Sequence, residues 1–396
     1  MRVSSRAFVT SVAAFALAVG WIGASSASAR PASDSPGARH IVVLRDHVDP
    51  DAAARDHGRR HGAEVQGIYR HALKGYVAVL EGKAAADVAR DPRVAFVELD
   101  GTVSVHGSQT IGPNGPWGLD RIDDATGLDE NFTYNNEGSG VTAYIIDTGI
   151  QYGHAEFEGR AVKGADFAPG NKSGADCDGH GTHVAGTVGG KTYGVAKKVK
   201  LVSVRVLDCK GSGTYSAIIA GIDWVTKNHG PKSVANMSLG GGASAAIDTA
   251  VTNSISAGVT YVVAAGNGNK AGVAQNACNY SPAKVPTAIT IGATDSTDTK
   301  SSWSNYGPCV DFFAPGVNVL SAGYSKTSTT ATAMMSGTSM ASPHVAGVVA
   351  LYLSSLPAGS TPAPAEVQSA LAFSTNVVKS AGTGTPFPYV IFTNGL

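Results

Sequence analysis

The stretch VTAYIIDTGI, residues 141–150, runs almost continuously apolar to Ile146, reaches a carboxylate at Asp147 and turns at Thr148-Gly149. A run of this kind is how a strand buried on both faces of a sheet reads. Four more apolar runs repeat the pattern, at 200–207, 234–237, 259–264 and 288–291, and helical stretches at 216–228, 245–257 and 339–356 lie among them. Strands alternating with helices predict an α/β fold with a doubly wound, mainly parallel sheet. In such sheets ligands bind beyond the carboxyl ends of the strands. Asp147 stands at one of those ends, where a lone carboxylate is otherwise a cap or turn residue.

Upstream, residues 40–105 read as a separate small unit. Strands are expected at 40–44, 65–69, 75–80 and 94–99, with helices at 51–61 and 83–90, the β-α-β-β-α-β order of a ferredoxin-like α+β domain. Five of the chain's 11 histidines, His40, His47, His57, His61 and His71, fall here. They read either as a pH-sensitive segment or as surface histidines in a charged domain. A Gly/Asn/Pro-rich linker at 107–115 is expected to separate the units.

The chain opens with Arg2 and Arg6, an apolar run over 8–23 and Ala27-Ser28-Ala29. This is the layout of a secretory signal with a small-residue cleavage site, so residues 1–29 are expected to be removed. The run is short of the roughly 20 residues a spanning helix needs. The remainder reads as exported, with no membrane anchor. Lys+Arg and Asp+Glu balance at 30 each and charged residues make up only 15%, so neither a nucleic-acid nor an anionic-membrane partner is expected. Export makes disulfides of Cys177, Cys209, Cys278 and Cys309 the expected state. Of three possible pairings, the close-spaced couples 177 with 209 and 278 with 309 are favoured. Cys177, His180 and His183 also have metal-ligand spacing, which keeps a metal-dependent hydrolase open at this point.

Two further stretches supply partners for Asp147. DGHGTHVAG places His180 between glycines at the start of a helical run, and GTSMASPHVAG, residues 337–347, places Ser339 where a helix begins. Pro343 is tolerated in a first helical turn, which predicts a helix start close to Ser339. Serine is a weak nucleophile unless a base and an orienting acid accompany it.

IIDTGI, HGTHVAG and GTSMASPHVAG, in the order Asp, His, Ser, resemble the motifs of the subtilisin-like serine proteases. From about Pro116 onward the likeness is to the proteinase K branch, particularly aqualysin-like enzymes, through PWGLDRID, YGVAKKVKLVSVRVLDCKGSG and NMSLGGG. The resemblance implies a secreted serine endopeptidase that works through an acyl-enzyme. Ser339 would be the nucleophile, His180 the general base and then acid, and Asp147 the group orienting the imidazole. Asn267, in VVAAGNGN, would donate to the tetrahedral oxyanion. Gly211, Ser212, Gly213, Ser238, Leu239 and Gly240 would pair with an extended substrate. Ala264, Ala265 and Gly266 would wall the pocket before the scissile bond, with a broad apolar or aromatic preference. Pro286, Ala288 and Asp311 match a structural calcium site, and the cysteine couples match aqualysin-like pairing. Val184 replaces the free cysteine of proteinase K itself. Residues 30–106 would be an inhibitory propeptide and folding aid, cut from the catalytic domain, 107–396, between about His106 and Gln109. The expected partners are protein and peptide substrates and the chain's own propeptide, with the enzyme a monomer.

Overall fold

Asp49 caps the first helix: its Oδ1 accepts the Ala52 N–H at 2.8 Å, Pro50 stands in the first turn where a missing N–H costs nothing, and Gly62 closes the other end with φ +67°. This computed structural model describes residues 38–70, 74–99 and 107–396, except 113, 171, 172, 383, 387, 388 and 394. The proposed signal segment lies outside the described residues. The chain divides into two units, Met1–Val103 and Ser104–Leu396.

The first unit comprises β1 (Ala38–Leu44), α1 (Pro50–His61), β2 (Glu64–Tyr69), β3 (Gly75–Leu80), α2 (Lys83–Ala89) and β4 (Val94–Leu99). Its sheet has the order β2-β3-β1-β4, antiparallel throughout. Val42, Leu44, Tyr76, Leu80 and Val88 fill the space under the helices. The histidines are not uniformly superficial. His47 is exposed, but His40 and His57 are buried, and His71 lies outside the described residues. His57 is bonded to the Tyr76 hydroxyl through Nδ1 and to Asp91 through Nε2 at 3.1 Å. Burial lowers its pKa, against the opposing pull of Asp91.

The second unit begins with β5 (Gly107–Thr110), α3 (Trp117–Asp123), β6 (Asn131–Tyr134), β7 (Thr142–Asp147), β8 (Ala161–Asp166), α4 (His180–Gly189) and β9 (Lys200–Arg205). It continues with α5 (Tyr215–Asn228), β10 (Ser233–Met237), β11 (Gly241–Gly242), α6 (Ala245–Ser256), β12 (Thr260–Ala264), β13 (Tyr280–Ser281) and β14 (Ile289–Thr294). β15 (Phe312–Pro315), β16 (Val319–Ala322), β17 (Thr332–Met335), α7 (Thr338–Ser355), α8 (Pro364–Ala370), β18 (Ala372–Val377) and β19 (Tyr389–Phe392) complete it. Nine strands form one sheet in the order β18-β19-β15-β14-β12-β10-β7-β9-β8, parallel except for the β18–β19 pair. Two apolar layers cover it. One gathers Val184, Val188, Val345, Val349 and Leu353 from α4 and α7; the other gathers Ile218, Ile222, Val225, Ile247 and Val251 from α5 and α6. β7 lies inside the sheet, between β10 and β9, and Asp147 is its last residue.

Two expectations need correction. The linker is partly a strand: Gly107–Thr110 pairs antiparallel with Asn131–Tyr134, because four extended residues meet an open edge there. The chain turns only at Gly112, whose φ is +66°. α7 begins at Thr338, close to Ser339 as expected, but Pro343 then lies beyond its first turn. A proline removes the N–H that would bond the carbonyl four residues back. That carbonyl, of Ser339, is accepted into another bond: the Ser238 hydroxyl donates to it at 2.7 Å.

Candidate active site

The turn after β7 and the start of α4 are locked by one buried carboxylate. Gly179, the residue before α4, has no side chain to cap the helix, so Asp176 does it from three residues further back. Its Oδ2 accepts the Thr182 N–H at 2.9 Å and the Thr182 hydroxyl at 2.5 Å, and its Oδ1 accepts the N–H groups of Asp178 and Gly179. The Thr148 hydroxyl donates to Asp176 Oδ1 at 3.0 Å and accepts the Gly181 N–H at 2.9 Å. Glycine at 181 is required by this closeness: a Cβ there would stand 2.2 Å from the Gly149 carbonyl oxygen. The small residues around His180 therefore admit a neighbouring backbone.

This packing brings His180 onto Asp147. Nδ1 lies 2.8 Å from Oδ1 and 3.0 Å from Oδ2, and the carboxylate is fully buried. Burial of the ring by itself lowers the imidazole pKa, but the Asp147 charge and hydrogen bond, with Asp178 and Asp176 behind them, outweigh it and raise the pKa above the ordinary value.

His180 and Ser339 line the same cleft, of about 720 Å³. In this structure the Ser339 hydroxyl donates to the Ser238 carbonyl at 3.0 Å. Hydrogen bonds between nucleophile and base commonly tighten only with substrate bound. Asn267 borders the cleft as well. Its Oδ1 accepts both the N–H and the hydroxyl of Thr338, each at 2.8 Å, which commits the oxygen and leaves the amide's Nδ2 hydrogens for other acceptors. The Thr338 hydroxyl in turn accepts the Gly266 N–H at 3.1 Å. The reading from sequence missed Thr338; its adjacency to Ser339 was the available signal.

All nine residues expected to bind substrate line this cleft: Gly211, Ser212, Gly213, Ser238, Leu239, Gly240, Ala264, Ala265 and Gly266. Ala283 and Asn305 also line the cleft. Asp178 is the only carboxylate and Lys210 the only lysine or arginine among the lining residues.

The disulfides are Cys177–Cys209 and Cys278–Cys309. With Cys177 bonded, and with His183 buried and its Nε2 on the Val319 carbonyl at 2.9 Å, the trio Cys177, His180 and His183 is no metal set. Burial pushes the His183 pKa down to about 4. Asn236, which begins an N-x-Ser triplet, is buried and bonded to Ser342 and Ser238, so it is no glycosylation acceptor.

Carboxylates at two places are candidate ligands for a hard cation. Asp311 precedes β15 beside the start of β14, where Pro286 and Ala288 lie; its carboxylate accepts the Thr290 N–H at 2.8 Å and the Gln368 amide at 3.2 Å. Among the described residues it has no ion pair, and burial pushes its pKa up to about 6. The second place was not foreseen. Carboxylate oxygens of Asp120, Asp124 and Asp129 lie within 4.8 Å of one another. Beside them Asp123 keeps a buried Oδ1 with no hydrogen-bond partner, and burial, with Asp124 and Asp129 nearby, raises its pKa to about 7. The acidic density of DRIDDATGLDE was the missed signal.

Residues 138–388 match the Subtilase family and residues 39–106 match the peptidase inhibitor I9 family. The chain is 54% identical over 82% of its length to an extracellular serine proteinase of Thermus sp. (strain Rt41A), covering 77% of that protein. It is 49% identical over 82% of its length to alkaline serine exoprotease A of Vibrio alginolyticus, of which it spans 58%. Among solved structures, a cold-adapted subtilisin-like serine proteinase matches with a TM-score of 0.63 at 48% identity, covering 70% of this chain and 97% of that one. No described helix is long and apolar enough to cross a membrane. The chain belongs to the subtilase family of serine proteases, with an I9 inhibitor domain ahead of the protease domain.

Proposed function

We propose that Ser339 attacks the scissile carbonyl while His180 takes its proton, that His180 then protonates the leaving amine, and that Asp147 orients and charge-stabilises the imidazole. The observation carrying this reading is the His180–Asp147 pair at 2.8 Å opening on the cleft that also holds Ser339. The oxyanion would be met by the Asn267 amide and by the Ser339 N–H, one of the first-turn donors of α7 that has no intrahelical acceptor. Water then releases the acyl group by the same proton transfers in reverse.

Substrate would add as an extended strand along 211–213 and 238–240, with the residue before the scissile bond against Ala264, Ala265 and Gly266. Those small apolar walls, clear of the lone cleft carboxylate in sequence, support a broad apolar or aromatic preference. Calcium would be held by Asp311 with the Pro286 and Ala288 carbonyls, and by Asp120, Asp124 and Asp129. When bound, it supplies positive charge to carboxylates that burial and mutual repulsion otherwise disfavour.

Residues 1–29 are read as the export signal, 30–106 as the inhibitory propeptide and 107–396 as the mature enzyme, a secreted monomer. The inhibitor match over 39–106 supports that division. The test is the intact mass of the refolded precursor beside its Ser339→Ala variant, with no other protease present. Wild type should separate into propeptide and mature fragments while the variant stays whole. Equal cleavage of both sinks the assignment of Ser339.

A further inference from the structure

The backbone on both sides of Asn267 is held by one side chain from a distant part of the sequence. Asn305 is 1% exposed. Its Nδ2 donates to the Ala265 carbonyl at 2.8 Å, and its Oδ1 accepts the Gly268 N–H at 3.0 Å and the Gln275 N–H at 2.8 Å. Its own N–H donates to the Gly266 carbonyl at 3.0 Å. Three of the residues bracketing Asn267 are thus tied to Asn305. The approach is closest at Gly266, where φ is +100° and a Cβ would stand 2.5 Å from Asn305 Nδ2.

Thr338 and Asn305 divide the task. Thr338 fixes which way the Asn267 amide faces; Asn305 fixes the segment from which that amide projects. The segment has left β12 at Ala264 and is tied to its sheet neighbour by the Ala265 N–H to the Ile291 carbonyl at 3.0 Å. An electrostatic donor works only if it is already in place when charge develops, since reorganisation during the reaction consumes its advantage. A side chain with both a donor and an acceptor at one end is needed to hold a carbonyl and an N–H on either side of the same residue.

We propose that Asn305 is a positioning residue for peptide hydrolysis, holding the backbone at 265, 266 and 268 so that the Asn267 amide stands where the tetrahedral oxyanion forms. The inference rests on the reading of Asn267 as the oxyanion donor.

The test is a double-mutant cycle on the full chain, processed in trans by immobilised wild-type enzyme and assayed on a chromogenic peptide anilide with an aromatic residue before the scissile bond. Asn305→Ala should lower kcat at least about ten-fold with KM within about two-fold, as a displaced catalytic group does. Asn267→Ala should lower kcat roughly 10²–10³-fold. Adding Asn305→Ala to Asn267→Ala should then cost less than about two-fold more, because the shared route is already gone. The proposal is overturned if Asn305→Ala lowers only the melting temperature, or if its loss in kcat is the same in both backgrounds. If Asn267→Ala itself is harmless, the oxyanion reading falls and this inference with it; if Asn267→Ala is costly and Asn305→Ala is not, only the inference falls. Should Asn305→Ala not fold, Asn305→Asp, which keeps the shape and loses the donor to Ala265, carries the same test. If neither folds, the role of Asn305 is structural and the proposal is wrong.

Discussion

Ser238 and Ser339 hold each other across the cleft: the Ser238 hydroxyl donates to the Ser339 carbonyl at 2.7 Å, and the Ser339 hydroxyl donates to the Ser238 carbonyl at 3.0 Å. The first bond exists because Pro343 offers no N–H to that carbonyl. Behind it, Ser342 donates to Asn236 Oδ1 at 2.7 Å and the Asn236 amide donates to Ser238 at 2.8 Å, so the start of α7 is moored to the end of β10.

Ser238→Ala leaves a part-buried carbonyl without this donor, which should cost on the order of 1 kcal/mol of unfolding free energy. In a Pro343→Ala background the helix regains its own donor, and the same substitution should cost less. Denaturant titration of the four proteins, made in the Ser339→Ala chain to prevent self-digestion, measures both. Equal costs in the two backgrounds would remove the proline from the explanation.

Activity should fall as the pH drops through the His180 pKa, since a protonated imidazole cannot take the nucleophile's proton. The net effect of its surroundings raises that pKa, so the acid limb of kcat/KM should lie above the ordinary histidine value near 6.5. The same sign makes the group's stability contribution full below the unfolded value and lost as pH rises through the folded one. Asp147→Asn removes the main raising charge. Its residual activity should be lower by about 10⁴-fold, with the acid limb moved to lower pH; an unmoved limb would assign the titration to another group.

Calcium should raise the melting temperature and a chelator lower it, without instantly abolishing peptide cleavage. At 100 times the dissociation constant a single site is worth about 2.7 kcal/mol. Asp311→Asn and Asp124→Asn should each remove part of the calcium-dependent increment in scanning calorimetry. An increment untouched by both would place the ion elsewhere.

The two disulfides close loops of nearly equal length, with sequence separations of 32 and 31. In the chain-entropy model each is then worth about 3–4 kcal/mol. Replacing Cys177 and Cys209 together by serine, or Cys278 and Cys309 together, should therefore lower unfolding free energy by similar amounts. A large inequality would mean that local packing outweighs loop closure.

The sequence by itself determined the order of elements in the first unit and, in the second, β7, β9, β10, β12 and β14 with the main helices among them, but not β8, β15, β18 or β19 of the same sheet. Apolar runs fixed β7, β9, β10 and β12 within a residue or two, because strands buried on both faces have no polar positions to blur them. The six elements of the first unit were legible from the same kind of local apolar patterning. Three motifs likewise marked Asp147, His180 and Ser339. The tertiary structure decided what depends on meetings between distant segments. Gly107–Thr110 became a strand only because Asn131–Tyr134 offered it an edge. Inside α7, the carbonyl that Pro343 leaves without its helical donor is met by Ser238 from the end of β10. Asp176, Asn305 and the cluster of Asp120, Asp124 and Asp129 acquire their roles from partners that no local pattern encodes, since a hydrogen bond or a shared charge is set by distance in space and not by spacing along the chain.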